Sequence, residues 1–231
     1  MRHQKSIATP IQLPGSLLPR AFFERPPEAV APLLLGKLLV RKAAEPMYMA
    51  GRIVEVEAYL GPHNELPDPA AHSHRGPTPR NAVLFGPAGH AYVYSIYGRY
   101  FCMNITCEAE GKAGCLLLRA LEPVAGMEEM ARNRGFKTGA GPGVPARELT
   151  CGPSRLCQAL GLTRPEHNGL DLLDARSPLQ ARDDSFSVSE YRVTRRIGIS
   201  QAVERPLRFA LPGCACVSGP KSLTGKRAFI K

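Results

Sequence analysis

One segment, HAYVYSIYGRYFCMNIT over residues 90–106, constrains the fold of this chain more than any other. Tyrosine and apolar residues that favour strands fill two runs, residues 90–97 and 100–107. Gly98 separates the runs, so Tyr97-Gly98-Arg99 is predicted to be the tip of a β-hairpin. Two strands joined this tightly pair antiparallel, and we therefore expect an antiparallel sheet.

The other patterns along the chain predict the remaining elements of one domain. Pro-Pro-Glu at 26–28 marks a helix start, which a strand over 37–41 follows. A third strand is predicted over 115–121, helices over 124–135 and 151–161, loops over 61–80 and 136–146, and short sheet-closing strands within 195–218. The predicted fold is α+β: a single domain with a curved, mostly antiparallel β-sheet flanked by helices and a protruding β-hairpin.

No internal repeat or interdomain linker divides the 231 residues, a length that supports one large core. We predict a flexible basic arm over 1–15, a single domain over 16–220 and a basic tail over 221–231. No apolar run resembles a signal peptide or a membrane span, so no membrane partner is expected. The seven cysteines include no CxxC pair and are predicted to be buried thiols of a protein in a reducing, intracellular compartment, whether cytoplasm, nucleoid or nucleus.

The charge of the chain favours a polyanionic partner. There are 30 Lys and Arg against 20 Asp and Glu, a net charge of +10. His63, His72 and His74 lie in the long loop 61–80, but their spacing matches no known ligand set, so no metal site is predicted. At least one of these histidines is expected to hydrogen-bond within a pocket.

Four of the seven tyrosines lie in the predicted hairpin. Tyr92 and Tyr94 share one face of the first strand, whereas Tyr97 has the opposite parity and lies at the tip. Ordinary packing of strand aromatics is sufficient to explain Tyr92 and Tyr100. A hairpin tip is a poor place for a core residue, and an aromatic there, on a basic protein, suits insertion between base pairs.

The strand RIVEVEAYLG, residues 52–61, raises a question about acidic residues. Its period of two predicts two faces, one with Ile53, Glu55, Glu57 and Tyr59 and the other with Val54, Val56, Ala58 and Leu60. Two carboxylates on one face are either a solvated surface with ion-pair partners or the site of a general base. Asn104 and Arg119 are polar residues within apolar strands, so each needs a partner; Glu57 is available to Arg119.

Together, a basic protein, an aromatic wedge, tyrosine faces and a carboxylate predict base flipping, in which an enzyme extrudes a nucleotide and acts on the sugar–base bond. At these residues the chain resembles the alkyladenine (3-methyladenine) DNA glycosylases of the mammalian type. The resemblance covers about residues 20–219. It is carried by VEVEAYLGP, AAHSHRGPTPRNAVLFGPAGHAYVYSIYGRYFCMN, LLLRALEPVAG and LTCGPSRLCQALG, and more weakly by RIGISQAVERPLRF.

The resemblance implies a role for each matching residue. Glu57 corresponds to the base that activates water, and Arg119 to the residue that helps to hold that water and carboxylate. The walls of the base pocket would be Tyr59, His72 and Tyr94, with His74 as a competitor of His72, and Asn104 would exclude guanine. Tyr97 would be inserted into the duplex. Contacts to the DNA backbone would come from Thr78, Arg80, Arg99, Ser154 and Arg155.

The resemblance further implies a monofunctional glycosylase that uses water, needs no cofactor or metal, and acts as a monomer on double-stranded DNA containing damaged purines. Two other functions fit the sequence pattern. A non-catalytic binder of damaged DNA would share the wedge and pocket, although it would be expected to lack Glu57. A small-molecule enzyme of similar fold would not need Tyr97 at the hairpin tip or the net charge of +10.

Overall fold

A computed structural model describes residues 12–43, 47–138, 143–219 and 226–230. The strands of this part of the chain are β1 Ser16–Leu17, β2 Leu38–Lys42, β3 Tyr48–Tyr59, β4 Ala91–Ile96, β5 Tyr100–Cys107, β6 Gly114–Ala125, β7 Leu179–Asp183, β8 Glu190–Thr194, β9 Arg208–Ala210 and β10 Lys226–Phe229. The helices are α1 Arg20–Phe23, α2 Pro27–Leu34, α3 Met127–Asn133, α4 Ala146–Thr150, α5 Pro153–Ala159 and α6 Arg164–His167, with a 3₁₀ turn over Ala82–Phe85.

All of these strands form a single antiparallel sheet, so the α+β prediction is confirmed. The main order is β1-β7-β2-β3-β6-β5-β4, and β9 joins β3 to β8, which in turn pairs with β10. The hairpin predicted from the tyrosine-rich segment is β4 and β5, with Ser95 opposite Phe101. Its neighbour β6 pairs with β3, and these two strands carry the acidic residues and Arg119.

Helices cover one face of the sheet and build the core with it. Val30 and Leu34 of α2 and Leu156 of α5 are fully buried in the same cluster as Val56 and Leu118. Pro27 lies in the first turn of α2 and Pro153 in the first turn of α5. The N–H groups of a first turn have no partner within the helix, so proline, which lacks an N–H, loses no helical hydrogen bond there. The opposite side of β3 is thereby left for polar side chains and for the chain segments after β8 and β9.

The strict two-residue alternation predicted for β3 is wrong for the residues that precede Glu55. Register shifts of the β3–β6 pair fall between Ile53 and Glu55 and between Glu55 and Val56. Ile53 packs in the main core with Val56 and Ala58, whereas Val54 packs in a separate cluster with Ala120 and Cys216. A bulge adds one residue to a strand and reverses its alternation, so Ile53 and Val54 exchange their predicted faces.

Both predicted terminal segments have parts that contact the domain. Arg182 donates hydrogen bonds to the carbonyls of Pro14 (2.8 Å) and Gly15 (2.5 Å), and Leu13 packs against Leu38 and Val40. Residues 1–11 of the predicted arm lie outside the described residues. In the predicted tail, Lys226–Phe229 form β10 against β8, and residues 221–225 and 231 lie outside the described part.

Several elements were not predicted from the sequence. Residues 61–80 form the long loop that was expected, but Ala146–Thr150 is a helix and Leu179–Asp183 and Glu190–Thr194 are strands for which no pattern was identified. Within 195–218, only Arg208–Ala210 is a strand, so the prediction of several short strands there is wrong. All seven cysteines are free thiols, six of them buried, as was expected.

Candidate active site

A cavity of about 720 Å³ opens beside the hairpin. Its walls come from the loop 61–80, from β3–β6, and from residues 197–199. The predicted site residues that line it are Tyr59, His72, Arg80, Tyr94, Tyr97, Asn104 and Arg119. Residues from four separate stretches of sequence, which were grouped on resemblance alone, therefore meet around one space.

Aromatic rings form one wall of the cavity. The rings of Tyr92 and Tyr94 stack with centroids 5.5 Å apart, as their shared strand face predicted. His72 meets the Tyr94 ring edge-on at 4.5 Å, and its Nδ1 lies 3.0 Å from the Tyr92 hydroxyl oxygen. Burial, with Cys115 nearby, raises the pKa of Tyr92 to about 12, so its hydroxyl keeps its proton.

The structure distinguishes the two histidines that competed for a place in the pocket. His72 lines the cavity, whereas His74 lies with Arg75 in a neighbouring cleft. Asn81 fixes this part of the loop, because its side-chain amide donates to the carbonyls of His72 (2.8 Å) and Gly76 (3.1 Å). The loop is thus anchored by the residue that directly follows it, and long ordered loops inside compact domains are usually functional.

Asn104 lines the cavity and is 4 % exposed. Its amide donates to the carbonyl of Tyr92 across the β4–β5 pair (3.5 Å), and its Oδ1 accepts a weak bond from the Cys115 thiol (3.6 Å). Asn104 therefore has the partners that a polar residue within an apolar strand needs, and it also lines the cavity. Its side chain is thus held on two sides.

Glu57 is fully buried and lies behind the cavity wall. Its Oε1 accepts from the Ile197 backbone N–H (2.8 Å) and lies 3.2 Å from Nη1 of Arg119, the predicted ion pair. Its Oε2 accepts from the Tyr59 hydroxyl at 2.9 Å. Ile197, Tyr59 and Arg119 all line the cavity, so the carboxylate is connected to that space through each of its three partners.

Glu55 is also fully buried, so the solvated face considered for the two carboxylates is wrong. Its Oε1 accepts from Arg119 Nε (2.9 Å) and from Arg208 Nε (2.6 Å), and both of its oxygens accept bonds from Ser218. Arg119 therefore bridges the two acidic residues, and Arg208 supplies a second positive charge. The two carboxylates and two guanidiniums offset one another in a site with little water.

A second buried ion pair holds Tyr59. Arg196 forms a two-pronged pair with Asp68, in which both side chains are fully buried, and its Nη1 also donates to the Ala58 carbonyl (3.0 Å). Its guanidinium lies 4.5 Å from the centre of the Tyr59 ring. Burial, together with Glu57, raises the pKa of Tyr59 well above its ordinary value, so the hydroxyl is the donor to Glu57.

Four of these residues were missed from the sequence: Asp68, Arg196, Arg208 and Ser218. Each lies in a loop or at the edge of a short strand, where no periodicity marks burial. One signal was available, because two carboxylates in a buried strand require more than the single cation Arg119. Arg196 and Arg208 both lie in RIGISQAVERPLRF, the stretch where the resemblance was weakest.

The hairpin tip presents Tyr97 to solvent, and the residue is 91 % exposed. Tyr97 and Gly98 have φ of 49° and 72°, and the Arg99 N–H donates to the Ile96 carbonyl (3.3 Å). Tight hairpin turns require such positive φ, which Gly tolerates and Tyr does not, at a cost of about 1–2 kcal/mol. A large apolar side chain is thus both exposed and strained, a combination that points to function.

Most of the predicted backbone-contact residues line the cavity or one of two other clefts. Arg80 lines the cavity itself, and with Thr78 it also lines the adjoining cleft. Arg99 and Ser154 line a third cleft beyond the hairpin tip. Arg155 is half exposed, 3.9 Å from a Glu148 carboxylate oxygen. Among the described residues, no group of three or more His, Cys, Asp or Glu side chains could hold a metal, and no helix could span a membrane.

Comparison with known proteins defines the class of this site. A family model described as methylpurine-DNA glycosylase matches residues 21–215, which include every site residue discussed above except Ser218. The class is therefore that of enzymes that remove bases from DNA. With this match over most of its length, the chain belongs to the methylpurine-DNA glycosylase family.

Curated relatives agree with the family assignment. A protein of Koribacter versatilis is 49 % identical over 206 residues, which are 89 % of this chain and 95 % of the relative. A protein of Burkholderia lata is 45 % identical over 208 residues, which are 90 % of this chain and 93 % of the relative. A protein of Methanoculleus marisnigri is 47 % identical over 205 residues, which are 87 % of this chain and 98 % of the relative. Each is named "Putative 3-methyladenine DNA glycosylase". The family and enzyme class expected from the motifs are confirmed.

Proposed function

We propose that this protein flips an alkylated or deaminated purine nucleotide out of duplex DNA and hydrolyses its N-glycosidic bond with a water activated by Glu57. The observation that carries the proposal is a buried carboxylate whose partners Tyr59, Arg119 and Ile197 line an aromatic cavity beside an exposed hairpin tip. Such a cavity can receive a base only if the nucleotide leaves the stack.

The chemistry of Glu57 fits a hydrolytic step. Its Oε1 accepts from the Ile197 N–H and forms an ion pair with Arg119 Nη1. Its Oε2 has one donor among the described residues, the Tyr59 hydroxyl, and a carboxylate oxygen can accept two hydrogen bonds. A water bound there would be oriented for attack on C1′, and the negative charge would stabilise the positive charge that develops on the sugar. No lysine is among the described residues that line the cavity, which favours water over a Schiff base.

The aromatic wall suits alkylated purines in particular. Such bases are cationic, and a cation is attracted to the face of a tyrosine ring. Tyr59, His72 and Tyr94 would enclose the base, and the rigidly held Asn104 would clash with the exocyclic amine of guanine. Arg80 and Arg99 beside the mouth, with Thr78, Ser154 and Arg155, would contact phosphates of the duplex.

The direct test is incubation of the protein with duplex DNA containing a single 3-methyladenine or hypoxanthine, followed by alkali. Strand cleavage only after alkali is expected, because a water-dependent glycosylase leaves an abasic site without cutting the backbone. Cleavage before alkali would exclude the monofunctional mechanism. Tight binding without any abasic product would favour the alternative, a non-catalytic binder.

Replacing Tyr97 by Asn is expected to reduce excision from fully paired duplexes by roughly 10–100-fold, the equivalent of 1–3 kcal/mol of stacking. Asn tolerates positive φ, so the turn is retained while the ring that fills the vacated space is lost. The loss should be much smaller when the lesion lies opposite a mismatch, because flipping is then easier. Single-turnover rates on paired and mispaired duplexes of one sequence, at one salt concentration, measure the difference.

Tyr94→Ala provides the contrast for this experiment. Tyr94 lies inside the cavity, stacked on Tyr92, so its loss should slow excision equally on both duplexes. Equal losses on both duplexes for Tyr97→Asn as well would show that Tyr97 does not act on flipping.

The protonation state of His72 predicts a pH-dependent choice of substrate. Burial of the ring, and then the charge of Arg80, lower its pKa from 6.5, so it is neutral at pH 7 and becomes charged only at lower pH. A charged His72 would repel a cationic base but not a neutral one. As the pH falls, excision of the cationic lesion 3-methyladenine should therefore decline more than that of neutral hypoxanthine.

Measurement of both rates from about pH 7.5 to about pH 5 tests this expectation, because a shared loss of activity cancels in their ratio. In His72→Asn the ratio should no longer depend on pH. A ratio with the same pH dependence in both proteins would contradict a role for His72 in the pocket.

A further inference from the structure

Glu55 is a buried carboxylate that the proposed chemistry does not use. It accepts hydrogen bonds from Arg119 Nε (2.9 Å), Arg208 Nε (2.6 Å), Ser218 Oγ (2.8 Å) and the Ser218 N–H (2.5 Å). Its Oε1 accepts three of these bonds and its Oε2 one, and of its three partners only Arg119 lines the cavity, so Glu55 is poorly placed to activate a water there. A group so fully bonded fixes the orientation of its neighbours.

Ser218 is the residue through which this network is closed. Its hydroxyl donates to Glu55 and accepts from Arg119 Nη2 at 3.1 Å, and its carbonyl accepts from Arg208 Nη2 at 2.9 Å. The N–H completes the set by donating to Glu55. Every polar group of Ser218 is thus bonded to one of three charged side chains, although the residue lies about 160 positions after Glu55 in the sequence.

The geometry of Arg119 shows what this closure does. A guanidinium is planar and rigid, so fixing two of its nitrogens fixes the direction of the third. Nε is fixed by Glu55 and Nη2 by Ser218, and Nη1 then lies 3.2 Å from Glu57 Oε1. The Glu57 carboxylate is therefore held, through Arg119, by residues that do not line the cavity.

We propose that Ser218 is a positioning residue for excision: with Glu55 it turns Arg119 so that Nη1 holds the Glu57 carboxylate. The inference rests on the proposed role of Glu57 and gives a reason for two acidic residues on β3. One carboxylate serves the reaction and the other orients the cation between them. It also assigns a function to Ser218 in the cysteine-rich segment GCACVSG, residues 213–219.

Ser218→Ala tests the proposal, with Ser177→Ala as the matched control. Both serines are buried, and the Ser177 hydroxyl donates to the Leu179 carbonyl (2.8 Å) on β7, outside the cavity. Ser218→Ala should slow single-turnover excision about tenfold, as the loss of a hydrogen bond to a charged group predicts, with DNA affinity within about twofold of wild type. Ser177→Ala should lower the melting temperature comparably and leave the rate unchanged.

Two further variants make the outcome unambiguous. Ser218→Thr keeps the hydroxyl and should retain most of the wild-type rate. Ser218→Cys is nearly the same size as the wild type but a weak hydrogen-bond donor, so it should be slow. Ser218→Cys therefore tests the proposal even if Ser218→Ala does not fold. A Ser218→Ala rate within about twofold of the Ser177→Ala rate would overturn the proposal, as would a slow Ser218→Thr with wild-type stability. Glu57→Gln in the same assay separates the two ideas, because an active Glu57→Gln would contradict the role of Glu57 itself.

Discussion

Replacing Glu57 by Gln is expected to leave damaged DNA bound and to reduce excision by roughly 10²–10⁴-fold, the usual contribution of a general base. The amide has the size of the carboxylate, so the Ile197 N–H can still donate to its oxygen and Arg119 Nη1 can remain beside it. The Tyr59 hydroxyl can rotate to accept from the new amide N–H. The change therefore removes charge and basicity from the cavity wall with little change in its shape.

The measurement is a pair of values for each protein, a single-turnover rate and a dissociation constant on the same lesion-containing duplex. Glu128→Gln, which lies on α3 with 84 % of its side chain exposed, controls for the loss of one negative charge. An excision rate within about threefold of wild type would remove Glu57 from the mechanism.

Arg119→Ala is expected to damage both stability and catalysis. Removal of one partner of a buried ion pair costs about 3–5 kcal/mol, because a charge is left without compensation. Arg119 contacts two carboxylates, and Arg208 can compensate only Glu55. For a chain of this size the melting temperature should fall by on the order of 10 °C. Excision should slow as well, measured at a temperature where the variant remains folded.

Arg176→Ala is a suitable control, since Arg176 pairs with Asp174 but its side chain is 91 % exposed. Exposed pairs contribute little, so neither the melting temperature nor the rate should change measurably. Arg119→Lys asks a further question, because it keeps the charge and loses the planar fork. Unchanged melting temperature and unchanged rate in Arg119→Ala would show that the residue has neither role.

The parts of this protein that the sequence predicted are those specified by local pattern. Alternation and a central Gly98 identify the hairpin, and an exposed aromatic at its tip follows from the position of Tyr97. Long motifs identified the family and the residues around the cavity. The pairing of Arg119 with Glu57 could be expected because a charged side chain within a buried strand needs a partner of opposite charge.

The parts that were not predicted depend on contacts between distant segments. The bulge at Glu55 reverses the faces of Ile53 and Val54, and nothing in an alternating apolar run marks such an insertion. Arg196 and Ser218 are placed by tertiary contacts with Asp68 and Glu55. Polar residues in irregular segments carry no periodicity, so their burial becomes evident only when the segments are brought together in three dimensions.

The left-handed backbone of Tyr97 has a consequence for the evolution and engineering of this enzyme. Gly at this position would relieve roughly 1–2 kcal/mol of strain and remove an exposed ring, so a search for thermostable variants would tend to select it. The same change would eliminate the side chain proposed to hold the duplex open. Stability and repair activity are therefore opposed at Tyr97. A variant selected for stability alone, without an activity screen, is expected to gain stability at this position and to lose repair activity.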